Sequence, residues 1–240
     1  MLEIKNLTKT YKGGKTAVDS LSLTVRAGDI YGFIGHNGAG KTTTIKAVVG
    51  IHDFDKGEIR VDGKDVRTQS LACKKAMAYI PDNPDIYEYL TGIQYLNFLA
   101  DIYQVPGKAR EERIRREAED FGIYSVLGDL VSTYSHGMRQ KLALTGALIH
   151  EPKLLVLDEP FVGLDPEASL LLKRKMHAFC EKGSAIFFST HVLEVAEKLC
   201  NRIAVISGGK LKAEGDTREL TKDKSLEDVF MEVTHNDKAD

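Results

Sequence analysis

Apolar and polar positions change period along this chain, and each change predicts a change of structure. From Leu2 to Tyr11, and again from Leu21 to Val25, they alternate as half-exposed strands do. The run Ile30 to Gly35 is short and nearly all apolar, and it enters a glycine-rich loop followed by a helix predicted over 42–49. "GEIRVDG" and "MAYIP" are two further strands, and Pro81 and Pro84 punctuate the chain after the second. From Leu90 to Ile149 the period is helical. "TGIQYLNFLADIY" is amphipathic, and "KAREERIRREAEDFGI" carries acid–base pairs at helical spacing, the mark of a solvated helix face. A more buried helix is predicted over 137–149. After Glu151 two apolar strands, "KLLVLD" and "SAIFFST", flank a helix over 166–182, which requires parallel pairing. "RIAVISGGKLKAEG" predicts a hairpin turning at Gly208 and Gly209, and "SLEDVFMEV" a last helix before a polar end expected to fray. The prediction is one domain of class α/β: a core with an antiparallel β subdomain over 1–84 and 150–240, and an inserted α-helical subdomain over 85–149.

Composition changes this picture little. The chain has 240 residues, 42% hydrophobic and 28% charged, enough to bury a core. A net charge of -2 argues against bulk nucleic-acid binding. No apolar run approaches the roughly 18 residues of a membrane span, and the N-terminal stretch lacks a signal-peptide core. Cys73, Cys180 and Cys200 have no metal or redox spacing and are expected to be reduced, packed thiols in the cytosol.

"GHNGAGKTT" has the spacing G-x-x-x-x-G-K-[ST] at Gly35, Gly40, Lys41 and Thr42, between a predicted strand and a predicted helix. Glycines at 35, 38 and 40 let successive N–H groups form an anion nest, and the following helix adds its positive end. Lys41 is placed to reach outer phosphates, Thr42 to ligate Mg²⁺, and Thr43 to add a donor. Asp158 and Glu159 emerge together at the end of "KLLVLD". Two adjacent carboxylates there suit a metal-bound phosphate, the first toward Mg²⁺ and the second as general base, although helix capping is an equal alternative on these residues alone. In "YSHGMRQK", Ser135 suits a helix N-cap, but capping does not explain Gly137 in the first turn.

Taken in order, these motifs resemble the ATP-binding subunit of an ATP-binding-cassette (ABC) transporter, whose core is a P-loop NTPase fold. "YSHGMRQK" is similar to the family signature LSGGQ, Gly163 to Pro166 to the D-loop, and "STH" to the segment ending in the switch histidine, His191. The resemblance implies ATP and Mg²⁺ as ligands. It implies that Tyr11 stacks on adenine, that Asn37, Gly38, Gly40, Lys41, Thr42 and Thr43 hold phosphate, and that Asp158 serves the metal. Glu159 and His191 are the implied catalytic pair. Ser135, Gly137 and Asp165 are implied to act across a head-to-tail dimer, the signature closing on the ATP of a second subunit. Asp165 also suits an N-cap for the helix beginning at Pro166.

Two departures stand out. Asp82 occupies the place of a family glutamine, a shorter group for the metal. His136 and Met138 replace a glycine and a glutamine of the signature, and the histidine offers a donor or a charge beside phosphate. The segment after Asp82 resembles cassettes serving ABC-2-type export permeases, with Tyr87, Tyr89, Tyr95, Phe98 and Tyr103 available to a permease helix or to core packing. The implied function is an ATPase, cytoplasmic and peripheral on the membrane, that drives a separate integral membrane permease, with export favoured. A soluble non-transport cassette ATPase and a P-loop small-molecule kinase are the alternatives.

Overall fold

The computed structural model describes residues 1–235, with only the backbone of His235; the expected frayed end falls on 236–240 and lies outside the described residues. In chain order the elements are β1 (Leu2–Thr10), β2 (Thr16–Val25), β3 (Ile30–Ile34), α1 (Lys41–Val48), β4 (Lys56–Val61), β5 (Lys64–Asp65), α2 (Ser70–Ala76), β6 (Met77–Ile80), α3 (Gly92–Ile102), α4 (Gly107–Asp120), α5 (His136–Leu148), β7 (Leu154–Asp158), α6 (Pro166–Glu181), β8 (Ala185–Thr190), α7 (Leu193–Leu199), β9 (Arg202–Ser207), β10 (Lys210–Asp216), α8 (Thr217–Leu220) and α9 (Leu226–His235).

The strands form two sheets, a four-stranded one in the order β2-β1-β4-β5 and a six-stranded one in the order β10-β9-β3-β8-β7-β6. β1 pairs antiparallel with β2 and β4. β9, β3, β8, β7 and β6 run parallel, joined by helices, and β10 returns antiparallel as the hairpin partner of β9. Every residue of β3, β7 and β8 is buried, as expected of parallel strands covered on both faces.

Alternation along those strands divides the interior into two cores. Tyr31, Phe33, Leu154, Val156, Ala185 and Phe187 point to one, which also holds α1 and the inner face of the four-stranded sheet. Ile30, Ile34, Leu155, Leu157, Ile186 and Phe188 point to the other, which runs without a break into α3, α4, α5 and α9. The helical subdomain therefore has no core of its own. Its α3 starts with a capping box between Thr91 and Gln94.

Most predicted elements are present, with boundaries shifted by a residue or a few. α2 and α7 have no counterpart in the predicted set. Each is seven residues long and buries one or two side chains, too few to impose a visible period. The three cysteines are free and buried. No group of His, Cys, Asp and Glu with metal-holding geometry, and no helix long and apolar enough to cross a membrane, occurs among the described residues.

Candidate functional site

The loop between β3 and α1 owes its shape to glycine. Gly38 and Gly40 have φ of 81° and 112°. A Cβ at Gly40 would lie 2.5 Å from the Ala17 carbonyl, so a strand of the four-stranded sheet presses directly on the loop. Lys41 opens α1 and is almost buried; its ammonium donates to the Gly35 carbonyl at 2.6 Å and lies 3.5 Å from a Glu159 oxygen. The Thr44 hydroxyl donates back to the Gly40 carbonyl at 2.9 Å.

The two acids at the end of β7 differ sharply. Asp158 is 1% exposed. Its Oδ1 accepts from the Ser189 hydroxyl of neighbouring β8, while Oδ2 is buried with no partner in the protein. A buried carboxylate oxygen left open in this way fits a hard cation. Glu159 adopts φ 49°, a left-handed conformation that costs a non-glycine residue about 1–2 kcal/mol. Its N–H is shared between the Ser189 carbonyl and hydroxyl, each at 3.2 Å. The turn sets its carboxylate between Lys41 and His191, whose Nδ1 is 3.0 Å from the same Glu159 oxygen. Neither acid is a helix cap. α6 is capped by Asp165, whose carboxylate accepts from the Ala168 N–H at 2.7 Å.

Ser189 is the residue of this site that the sequence did not single out. It lies opposite Asp158 in the parallel register and holds both acids in place. Its position two residues before His191 was the available signal.

A cleft of about 290 Å³ is lined by Tyr11, Lys15, His36, Asn37, Gly38, Gly40, Lys41, Thr42, Thr43, Asp82, Asp158 and Glu159, with Ala17 beneath. The predicted residues of the phosphate loop, both acids, Tyr11 and Asp82 are thus brought together. The Tyr11 hydroxyl is 3.1 Å from that of Thr43 and 3.2 Å from His52 Nδ1, which leaves its half-exposed ring on the rim. Asp82 is exposed and accepts from the Asn83 N–H at 2.9 Å.

No residue of 134–141 lines this cleft. Ser135 caps α5 by accepting from the Met138 N–H at 3.2 Å, which leaves its own hydroxyl proton free to donate. The close neighbour of Gly137 within this chain is the Gly163 carbonyl, 3.0 Å from where a Cβ would stand. The His136 ring covers Gly163, so that a side chain there would collide with it. Lys141 pairs with Asp165 at 2.9 Å, and the Ala168 N–H and this lysine hold the Asp165 carboxyl below its usual range. The buried Gln140 amide reaches the Pro160 carbonyl at 3.5 Å.

Comparison with known proteins identifies the family. A family model described as ABC transporter matches residues 18–162. YhcH of Bacillus subtilis, an uncharacterized ABC transporter ATP-binding protein, is 40% identical over 88% of this chain and 68% of its own length. The linearmycin resistance ATP-binding protein LnrL, also of Bacillus subtilis, is 32% identical over 92% of this chain and 70% of its own. A solved structure described as the ATP-binding subunit of an ABC transporter superposes with a TM-score of 0.93 at 32% identity, covering 97% of this chain and 99% of that one. Phosphate loop, paired acids and helical insert occur here in one continuous fold, and the chain belongs to the ABC transporter family as an ATP-binding subunit with the ATPase fold of that family.

Proposed function

We propose that this chain drives a separate membrane permease by hydrolysing ATP at two composite sites of a head-to-tail dimer. The observation that carries the proposal is the split between the lined cleft and the loop at Ser135. The cleft has its phosphate loop and acids but nothing from 134–141, while α5 presents its N-terminus and a hydroxyl proton outward. A helix N-terminus with a free donor suits the terminal phosphate of an ATP held by another copy.

Within one site the residues divide the work. Lys41 and the loop N–H groups hold the phosphates, and Tyr11 and Asn37 border them. Glu159 accepts the proton of the attacking water, a role its two contacts suit because Lys41 and His191 fix the direction of the carboxylate. His191 positions Glu159 and would contact the outer phosphate. Mg²⁺ would supply charge neutralisation and Lewis acidity, held by the Thr42 hydroxyl and Asp158 Oδ2, with Asp82 on the periphery of that set. Asp165, already spent on capping α6 and on Lys141, orients the D-loop that faces the partner.

The permease would dock beside α3. Tyr87, Tyr89 and Phe98 are exposed and meet ring to ring, with centroids 5.7 Å apart for Tyr87–Tyr89 and for Tyr87–Phe98. Tyr95 and Tyr103 instead pack against the core. A neighbouring apolar groove of about 270 Å³ contains Ile51, Leu71, Ile102, Lys74 and Lys75. Export is favoured because a relative's name ties it to linearmycin resistance, which outward transport would confer.

The test is Glu159→Gln with Mg-ATP, followed by size-exclusion chromatography with light scattering. The expected result is a mass of two chains that returns to one when Ser135→Arg is added. A single-chain mass at saturating ATP would overturn the dimer.

A further inference from the structure

We propose that α9 is a positioning element of the ATP site, with Phe230 holding the phosphate loop through His36. Nothing in the chemistry of phosphate binding calls for this helix. It lies at the far end of the sequence, and its residues line no part of the cleft. Yet the Phe230 ring is 5% exposed and meets the His36 ring at 4.6 Å between centroids and 72° between planes, an edge-to-face contact.

The contact adds a side-chain handle to backbone contacts the loop already has, the Gly209 N–H on the Ala39 carbonyl at 3.0 Å and the Ala17 carbonyl against Gly40. Gly35, Gly38 and Gly40 have no side chains to anchor it, and Asn37 and His36 are both exposed, but the His36 ring rests on Phe230. Ala39 is buried in the core shared with α1 and the four-stranded sheet. Phe230 belongs to the other core. Ala39 therefore anchors the loop inside one core, and the exposed His36 ring meets the other core at Phe230. Between these points the His36 carbonyl accepts from the Ala39 N–H at 3.1 Å and lies 3.4 Å from the Lys41 ammonium. A shift of His36 thus moves groups that touch the phosphate-binding lysine.

The helix is itself held firmly enough to act this way. Ser225 and Asp228 bond each other at its start, the Leu226 N–H donates to Glu197 of α7 at 2.9 Å, and the Thr234 hydroxyl donates to the Phe230 carbonyl at 2.7 Å. α7 begins two residues after His191. α9 consequently bridges the loop that holds phosphate and the helix just beyond the switch histidine.

A purely structural Phe230 would stabilise the core without affecting ATP. The experiment measures equilibrium binding of Mg-ATP and the thermal midpoint for Phe230→Leu, His36→Ala, the double variant, and His36→Phe. Phe230→Leu keeps apolar volume and removes the ring. Each of the first two variants is expected to weaken Mg-ATP binding roughly three- to tenfold, the range of one aromatic contact, and the double variant no more than either. His36→Phe, which keeps a ring on Phe230, is expected to lose less affinity than His36→Ala. Unchanged affinity in Phe230→Leu, or losses that multiply in the double variant, would overturn the proposal. If Phe230→Leu fails to fold, unchanged affinity in His36→Ala, or a loss in His36→Phe as large as that in His36→Ala, would overturn it alone.

Discussion

The two ends of this chemistry are built in opposite ways. Around Lys41, Asp158 and Glu159 the groups are buried or nearly so, Lys41 facing Glu159 and Asp158 held by Ser189. They are fixed by neighbouring strands whose register sets Asp158 beside Ser189. Around Ser135 and Gly163 the groups lie on the surface and are fixed to each other, signature loop against D-loop, by the His136 ring, the Gly137 contact and the Lys141–Asp165 pair. The first region is shaped to receive a ligand within the chain. The second is assembled as a surface, as its proposed action on a second subunit requires.

The largest test of that difference is kinetic. Glu159→Gln should slow hydrolysis by roughly 10²–10⁴-fold, the usual contribution of a general base, while Mg-ATP still binds the single chain. Ser135→Arg should also stop turnover, but through loss of the dimer. Equal damage to single-chain ATP binding by both would erase the distinction.

The seam between the helical insert and the six-stranded sheet offers a smaller test. His150, just past α5, stacks on Tyr103 at 3.6 Å and 9° and lies 3.4 Å from the Met77 carbonyl of β6. Burial lowers its pKa to about 4, the Met77 contact opposing the shift and Arg113 adding to it. Because the folded value lies below the unfolded one, the neutral form stabilises the fold fully above about pH 6.5, and the contribution falls away as pH drops toward 4. The loss is of order 1–3 kcal/mol. His150→Phe should flatten the thermal midpoint over that window; an unchanged slope would remove His150 from the seam.

Gly163→Ala is the finest test. Gly163 has φ 81° and lies beneath His136, so a methyl group there meets both backbone strain and the ring. A loss of about 1–2 kcal/mol is expected from the backbone alone, plus a steric part that His136→Ala relieves. Urea unfolding of the two single variants and the double variant separates these parts.

The inner region was the more legible in sequence because its chemistry dictates spacing. A phosphate nest needs glycines at set intervals before a helix, and a strand that ends in two acids leaves few alternatives once that nest is beside it. The outer region was legible only as motifs. That Gly137 makes room for the Gly163 carbonyl, or that His136 fixes the residue beneath it, depends on packing between distant segments, which no local period records. The same is true of His36 and Phe230, which come from opposite ends of the chain. The aromatics after Asp82 divided for a related reason. All five suit either a groove or a core, and the fold exposes Tyr87, Tyr89 and Phe98 while Tyr95 and Tyr103 pack inward.

The helical insert shares its apolar interior with one face of the six-stranded sheet. For anyone building chimeras, a cut along the subdomain boundary is therefore in the wrong place. An insert transplanted from a relative would bring half of a packed surface and leave the other half behind, so grafts should succeed only when the sheet residues beneath, among them Ile34, Leu155 and Phe188, travel with it.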